Sequence, residues 1–225
     1  SLIIDITRKT LAAHNKVDLI MPIANTNRSV GAMLSGYIAT HDTYRHLPDD
    51  TIAVTFKGSA GQSFGAFLHQ GITLRLEGDA NDYLGKGLSG GHIIVTPPKE
   101  STFDPAENII AGNTLLYGAT AGEVYINGRV GERFGVRNSG ATAVVEGVGN
   151  HCCEYMTGGR VVVLGPTGQN FAAGMCGGIA YVWNPNNDFD FNCNMELIEL
   201  SLIDNDADNN ELQRYIRRHL QLTGS

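Results

Sequence analysis

The sequence predicts an all-β fold, a right-handed parallel β-helix of about six to seven coils with a C-terminal helix, and three observations carry that reading. First, a motif of four mostly apolar residues closed by glycine recurs down the 225-residue chain. It reads Leu74-Arg75-Leu76-Glu77-Gly78, Val124 to Gly128, Ala143 to Gly147 and Val161 to Gly165, with Ile93 to Pro97 and Ala180 to Asn184 as degenerate copies. Second, the closing residues are evenly spaced: 20 residues from Gly58 to Gly78, 19 to Pro97, then 19, 18 and 19 from Gly128 through Gly147 and Gly165 to Asn184. Only the step from Pro97 to Gly128 is long, at 31. A fixed period near 19 marks a solenoid, in which each repeat buries its apolar face by stacking on its neighbours. Third, glycine is abundant, 28 residues or about 12% against a usual ~7%, as repeated corners require.

Aligning the coils on the closing residue assigns each position a place. Six positions on, Phe64, Leu84, Phe134, Cys153 and Phe171 form an apolar column that should point inward. The next column is Gly65, Gly85, Gly135, Glu154 and Ala172. Three positions after the closer stand Gly61, Asn81, Gly131, Asn150 and Gly168, the residue types that enter left-handed backbone cheaply, so a tight turn is expected there. Gln62, Asp82, Glu132, His151 and Gln169 follow, a polar column facing water. A second glycine before each closer (Gly71, Gly91, Gly122, Gly140, Gly159, Gly178) marks the corner entering the main strand. Left-handed β-helices repeat every six residues, and that period is absent; the longer, uneven coil is the right-handed type. Stacked at about 4.8 Å per strand, the coils would make a strut of about 30 Å.

Three segments follow. Residues 1–50 read as an N-terminal lead-in or cap, with a short helix from Ile6 to Asn15 and extended chain and turns from Pro22 to Gly36. Residues 51–184 are the coils, interrupted by the excursion Pro97 to Pro105. Residues 185–225 form a C-terminal cap, acidic around a strand-like Glu196 to Ile203, with a helix over 209–222. In that helix Leu212, Ile216 and Leu220 make an apolar stripe, Asp208 or Asn209 suits the N-cap, and Arg217, Arg218 and His219 suit the negative end of the dipole.

Composition narrows function. The net charge of -7, with no basic stripe, argues against nucleic acid as a partner. No apolar run reaches the ~20 residues of a membrane span. Without a visible signal sequence, the four cysteines read as thiols of a cytoplasmic protein rather than a disulfide framework.

Several motifs invite a chemical reading. Gly85-Lys86-Gly87-Leu88-Ser89-Gly90 matches G-x-G-x-x-G, but a dinucleotide fingerprint opens a helix and this one runs into the strand His92 to Thr96. Gly165-Pro166-Thr167-Gly168 lacks the Lys-Ser/Thr of a phosphate-binding loop. In His151-Cys152-Cys153-Glu154, neighbouring strand residues would point to opposite faces, which disfavours one shared metal; Cys153 is expected inside and His151 outside. Arg129, Arg133 and Arg137 on one coil could hold an anion, but fit a salt-bridged face better. The reading therefore assigns no catalytic, cofactor-binding or metal-binding residue to the chain.

Long motifs carry a resemblance. Asn25 to Gly31, Gly58 to Phe67, Gly78 to Gly87, Ile110 to Thr114, Gly131 to Gly140 and His151 to Gly159 resemble the C-terminal GXGXG domain of the glutamate synthase large subunit, and the match spans almost the whole chain. The resemblance implies a right-handed β-helix that is structural and not itself catalytic. The enzyme family makes two glutamates from glutamine and 2-oxoglutarate, using a glutaminase domain and an FMN-binding domain that also holds a 3Fe-4S cluster. Those cofactors and domains would lie outside this chain, which would be inactive alone and would have them as partners. Ser1 in place of Met and the end at Ser225 suggest an excised domain. A separate subunit of an N-methylglutamate synthase-like or formylmethanofuran dehydrogenase-like complex is the alternative, and a polysaccharide-cleaving β-helix would need a charged cluster along one face.

Overall fold

The computed structural model describes residues 2–12, 15–44 and 46–225; Ser1, and positions 13 and 14 of the helix expected from Ile6 to Asn15, lie outside them. Among the described residues, nine strands form one parallel sheet wound as a solenoid of about seven turns. They are β1 (Val17–Ile23), β2 (Ile52–Ala60), β3 (Ile72–Ala80), β4 (Ser89–Thr96), β5 (Ile109–Ala111), β6 (Ala121–Val130), β7 (Ser139–Gly147), β8 (Thr157–Val163) and β9 (Gly177–Val182). The ladder runs β1-β2-β3-β4-β6-β7-β8-β9, with β5 joined to β3 and β6. Its register places Val54, Leu74, Ile93, Val124, Ala143 and Val161 in one buried column, and Phe56, Leu76, Val95, Ile126, Val145 and Val163 in the next. Successive residues of a strand face opposite ways, so these two columns, separated by one outward position, both fill the interior.

The long step of 31 is an insertion within one coil. Ala80 pairs with Ala111, and Ala111 with Val130, so β5 completes the coil that β4 begins. The chain between them loops out and is pinned from the next coil: Arg129 donates to the Ala106 carbonyl and lies 3.5 Å from Glu107.

At the N-terminus the ladder begins earlier than the expected coil boundary, because β1 pairs with β2 from Val17↔Ile52 through Ile23↔Gly58. Helix α1 (Leu2–Ala12) sends Leu11 into the core. Helix α2 (Ala32–Thr40) replaces the extended chain expected through Gly36; Leu34, Ser35 and Ile38 are its buried residues. Nine residues make only about two and a half helical turns, too few for an apolar period to stand out in the sequence.

At the C-terminus, Glu196 to Ile203 forms no strand, and helix α3 runs over Asp206–Thr223. Asn205 is the N-cap, accepting from the Asp208 amide at 2.9 Å, and Gly224 (φ 79°) closes the helix. The buried stripe is Leu212, Tyr215, His219 and Leu222; Ile216 and Leu220 are 39% and 54% exposed. The helix is turned from the expected face because a buried histidine, scored as polar at sequence level, belongs to the contact.

Candidate functional site

The motifs quoted from the sequence converge on a ribbon that forms one side of every coil. Its backbone enters the left-handed region at every second residue: Tyr83, Gly85 and Gly87 (φ 61°, 66°, 62°), Arg133, Gly135 and Arg137 (59°, 70°, 57°), His151, Cys153 and Tyr155 (65°, 59°, 54°), and likewise from Ser63, Thr114 and Asn170. The alternation turns successive amides toward opposite neighbours. Tyr83 and Gly87 donate forward to the Asn113 and Tyr117 carbonyls at 3.0 and 2.8 Å, while Gly85 donates back to Phe64 at 2.8 Å. Each rung is thereby bonded to the coils on both sides.

The column Gly61, Asn81, Gly131, Asn150 and Gly168 is not left-handed, which corrects the sequence expectation. Crowding is the cause. A Cβ on Gly131 would lie 2.2 Å from Asn113 Oδ1, and on Gly168 2.4 Å from the Asn150 amide nitrogen. Those asparagine oxygens are occupied, Asn113 accepting from the Glu132 amide and Asn150 from the Gln169 amide, both at 2.8 Å. Glycine in one coil makes room for the capping asparagine of the preceding one. Gly131→Asn, acceptable on conformational grounds, should therefore cost about 1–3 kcal/mol by overpacking. Denaturant titration checks this, and Asn113→Ala in the same chain should recover part of the loss.

The candidate motifs take structural places on this ribbon. Gly85 to Gly90 is a ribbon rung leading into β4, and no helix follows it. Gly87 lies under the exposed Phe67 ring, whose Cδ1 would be 2.5 Å from an added Cβ. Cys153 corresponds to the glycine column and Cys152 to the phenylalanine column, because the 18-residue coil is one residue short there: Cys153 donates to the Phe134 carbonyl just as Gly85 donates to Phe64. Both cysteines are fully buried with their sulfurs 3.6 Å apart, while His151 Nδ1 and Glu154 Oε1 pair outside at 2.7 Å. Opposite faces of a strand would separate neighbours singly; the alternating ribbon turns the two cysteines inward together. Burial pushes the Cys152 thiol well above its ordinary pKa, so it is no ready nucleophile. Cys152→Ser and Cys153→Ser should each cost about 1–3 kcal/mol by burying a hydroxyl. Equal losses in thermal melting would confirm the shared interior.

The remaining candidates disperse. Arg133 pairs with Glu132 at 3.3 Å, Arg137 lies 5.9 Å from the Tyr155 ring centroid, and Arg129 serves the insertion. Pro166 offers its carbonyl to the Val148 amide at 2.9 Å. Cys176 and Cys193 are free thiols, with Cys193 pushed up to about 11 by burial. Among the described residues, no group of three or more His, Cys, Asp or Glu could hold a metal ion.

One built polar site went unread in the sequence. Outward residues Tyr125, Val144, Val162 and Tyr181 are buried under α3, with Leu212, Tyr215 and Leu222 against them. Glu211 on the helix accepts from Arg160 Nε at 2.9 Å and from the Tyr181 and Tyr215 hydroxyls at 2.6 and 3.2 Å. Burial alone would raise the Glu211 carboxyl; the bonds from Tyr181 and Arg160 outweigh it and hold the pKa below its ordinary value. His219 Nε2 meets Glu146 Oε1 at 2.7 Å, and Ser225 donates to the same oxygen at 2.6 Å. Glu146 is likewise held low, burial being outweighed by His219 and Ser225. The available signal was the continuous apolar runs Ala143-Val144-Val145 and Val161-Val162-Val163, which mark strands covered on both faces. A depressed carboxylate stabilises fully above its ordinary range, and that stability is lost as pH falls through the depressed value. Between pH 6 and 3 the chain should therefore lose more melting temperature than its Glu211→Gln variant.

A family model described as the GXGXG motif matches residues 1–225. The chain is 57% identical over 203 residues to the NADH glutamate synthase of Schizosaccharomyces pombe, covering 90% of this chain and 10% of that protein. It is 48% identical over 224 residues to the large chain of the NADPH glutamate synthase of Bacillus subtilis, covering 99% and 15%. It is 50% identical over 203 residues to ferredoxin-dependent glutamate synthase 2 of Synechocystis, covering 90% and 13%. The chain thus spans only a small part of the length of the relatives it matches. Glycine recurs at these left-handed positions, at Gly65, Gly85, Gly87, Gly118, Gly135 and Gly174, and with the family model matching the whole chain, the chain belongs to the GXGXG motif family, as a domain of the kind found in glutamate synthases.

Proposed function

We propose that this chain is a structural, non-catalytic domain of a cytoplasmic glutamate synthase large subunit, near its C-terminus. It holds the glutaminase domain and the FMN-binding synthase domain in the arrangement that converts glutamine and 2-oxoglutarate to two glutamates. FMN and the 3Fe-4S cluster would belong to those other domains. The observation that carries this reading is the match to relatives named for three different electron donors, NADH, NADPH and ferredoxin, at 57%, 48% and 50% identity. A region that recurs beside all three donors suits a shared frame better than a donor site. The packed interior and the insertion held by Arg129 support the same role. The absence of any helix long and apolar enough to cross a membrane, among the described residues, is compatible with it.

The test compares the 225-residue chain with the full-length parent polypeptide. The chain alone should show neither flavin absorbance nor glutaminase or synthase turnover. In the parent, destabilising the solenoid with Phe134→Ala should raise glutamine hydrolysed per glutamate formed, while each half-reaction persists. Turnover by the chain alone would overturn the reading, as would a fully stable Phe134→Ala parent with one half-reaction abolished.

A further inference from the structure

The last rung of the solenoid is open. β9 pairs with β8 on one side and ends the ladder path on the other. Across from it runs the stretch 197–203, and the two enclose a groove of ≈ 380 Å³ that continues past Trp183. Among the described residues, nothing forms a hydrogen bond with residues 197–204, although the sequence Leu197-Ile198-Glu199-Leu200-Ser201-Leu202-Ile203 has strand character. Leu197, Leu202 and Trp183 are 62%, 87% and 64% exposed, an unusual concentration of large apolar side chains at one end of the molecule. Two rows of unpaired backbone groups therefore face one apolar groove, a template for strand addition.

Charge says what fits. From Val161 through Gln213 the chain has no Lys, Arg or His, and it carries Asp188, Asp190, Glu196, Glu199, Asp204, Asp206, Asp208 and Glu211. We propose that this groove receives an extended segment of the parent polypeptide outside these 225 residues, alternating apolar and basic side chains, that pairs with the free edge of β9. Apolar side chains enter against Ile179 and Leu200, and Lys or Arg side chains meet the acidic rim. The parent is the source because the chain makes up only 10–15% of its relatives' length, so the surrounding domains are present at high effective concentration. The inference rests on the domain reading above and locates one surface through which that role is exerted.

Hydrogen–deuterium exchange tests it, read at the amides of Gly177–Val182 and of 197–203 in the chain and in the full-length parent. The result expected is at least tenfold slower exchange of both segments in the parent. In the parent, Leu202→Glu should remove that protection without changing the melting temperature of the 225-residue chain. Equal exchange in both forms, with protection gained elsewhere on the solenoid, would overturn the groove and leave the domain reading standing. Protection gained nowhere would sink both. Concentration-dependent protection in the chain alone would make a second copy the occupant and overturn the proposal.

Discussion

Phe134→Ala is expected to destabilise the chain by about 3–5 kcal/mol, the range for emptying a large buried aromatic site. Phe134 is fully buried in the ribbon column between Leu115 and Cys152, and hydrogen bonds to coils on both sides hold the backbone around it: Gly135 donates to the Leu115 carbonyl at 2.9 Å and Cys153 to the Phe134 carbonyl at 2.8 Å. A solenoid cannot collapse into such a cavity without breaking the ladder, so the cost should lie high in the range. Denaturant unfolding of the 225-residue chain measures it. A loss below about 1 kcal/mol would mean that the column does not fill the interior.

His219→Ala should come next, at about 3 kcal/mol, because leaving a buried carboxylate without its main hydrogen-bond partner costs more than leaving a neutral group unpaired. His219 is 1% exposed, and without it Glu146 keeps only the Ser225 hydroxyl in a site from which water is largely excluded. The loss should be local: faster amide exchange across α3, with the column through Val145 and Val163 still protected. Because Glu146 is held low chiefly by this pair, the variant should also show a shallower loss of stability on acidification than the native chain. Ile216→Ala, on the exposed face of the same helix, should stay within about 0.5 kcal/mol. Equal effects at the two positions would mean that the helix docks by the stripe expected from sequence.

That contrast marks where sequence patterning suffices. The 18 to 20 residue period, the inward Phe64, Leu84 and Phe134, and the corner glycines before each strand were legible because every coil repeats one environment, so a single column is sampled many times over. The long motifs carried the family resemblance for the same reason. Features that occur once were not legible. The turn of α3 depends on which of its faces meets Tyr125 and Tyr181, and a buried histidine disguises that face in any hydropathy pattern. The one-residue slip at Cys152 and Cys153 has no local mark, since both readings put a small thiol inside. The left-handed ribbon was misplaced because alternating φ signs were not anticipated for residues such as Tyr83, Arg133 and His151, which tolerate them only where neighbouring coils accept their amides. Repetition along the chain determined the solenoid from sequence alone; contacts made once, between α3 and the outer face and at the open edge of β9, were decided by tertiary structure, because their energy comes from partners distant in sequence.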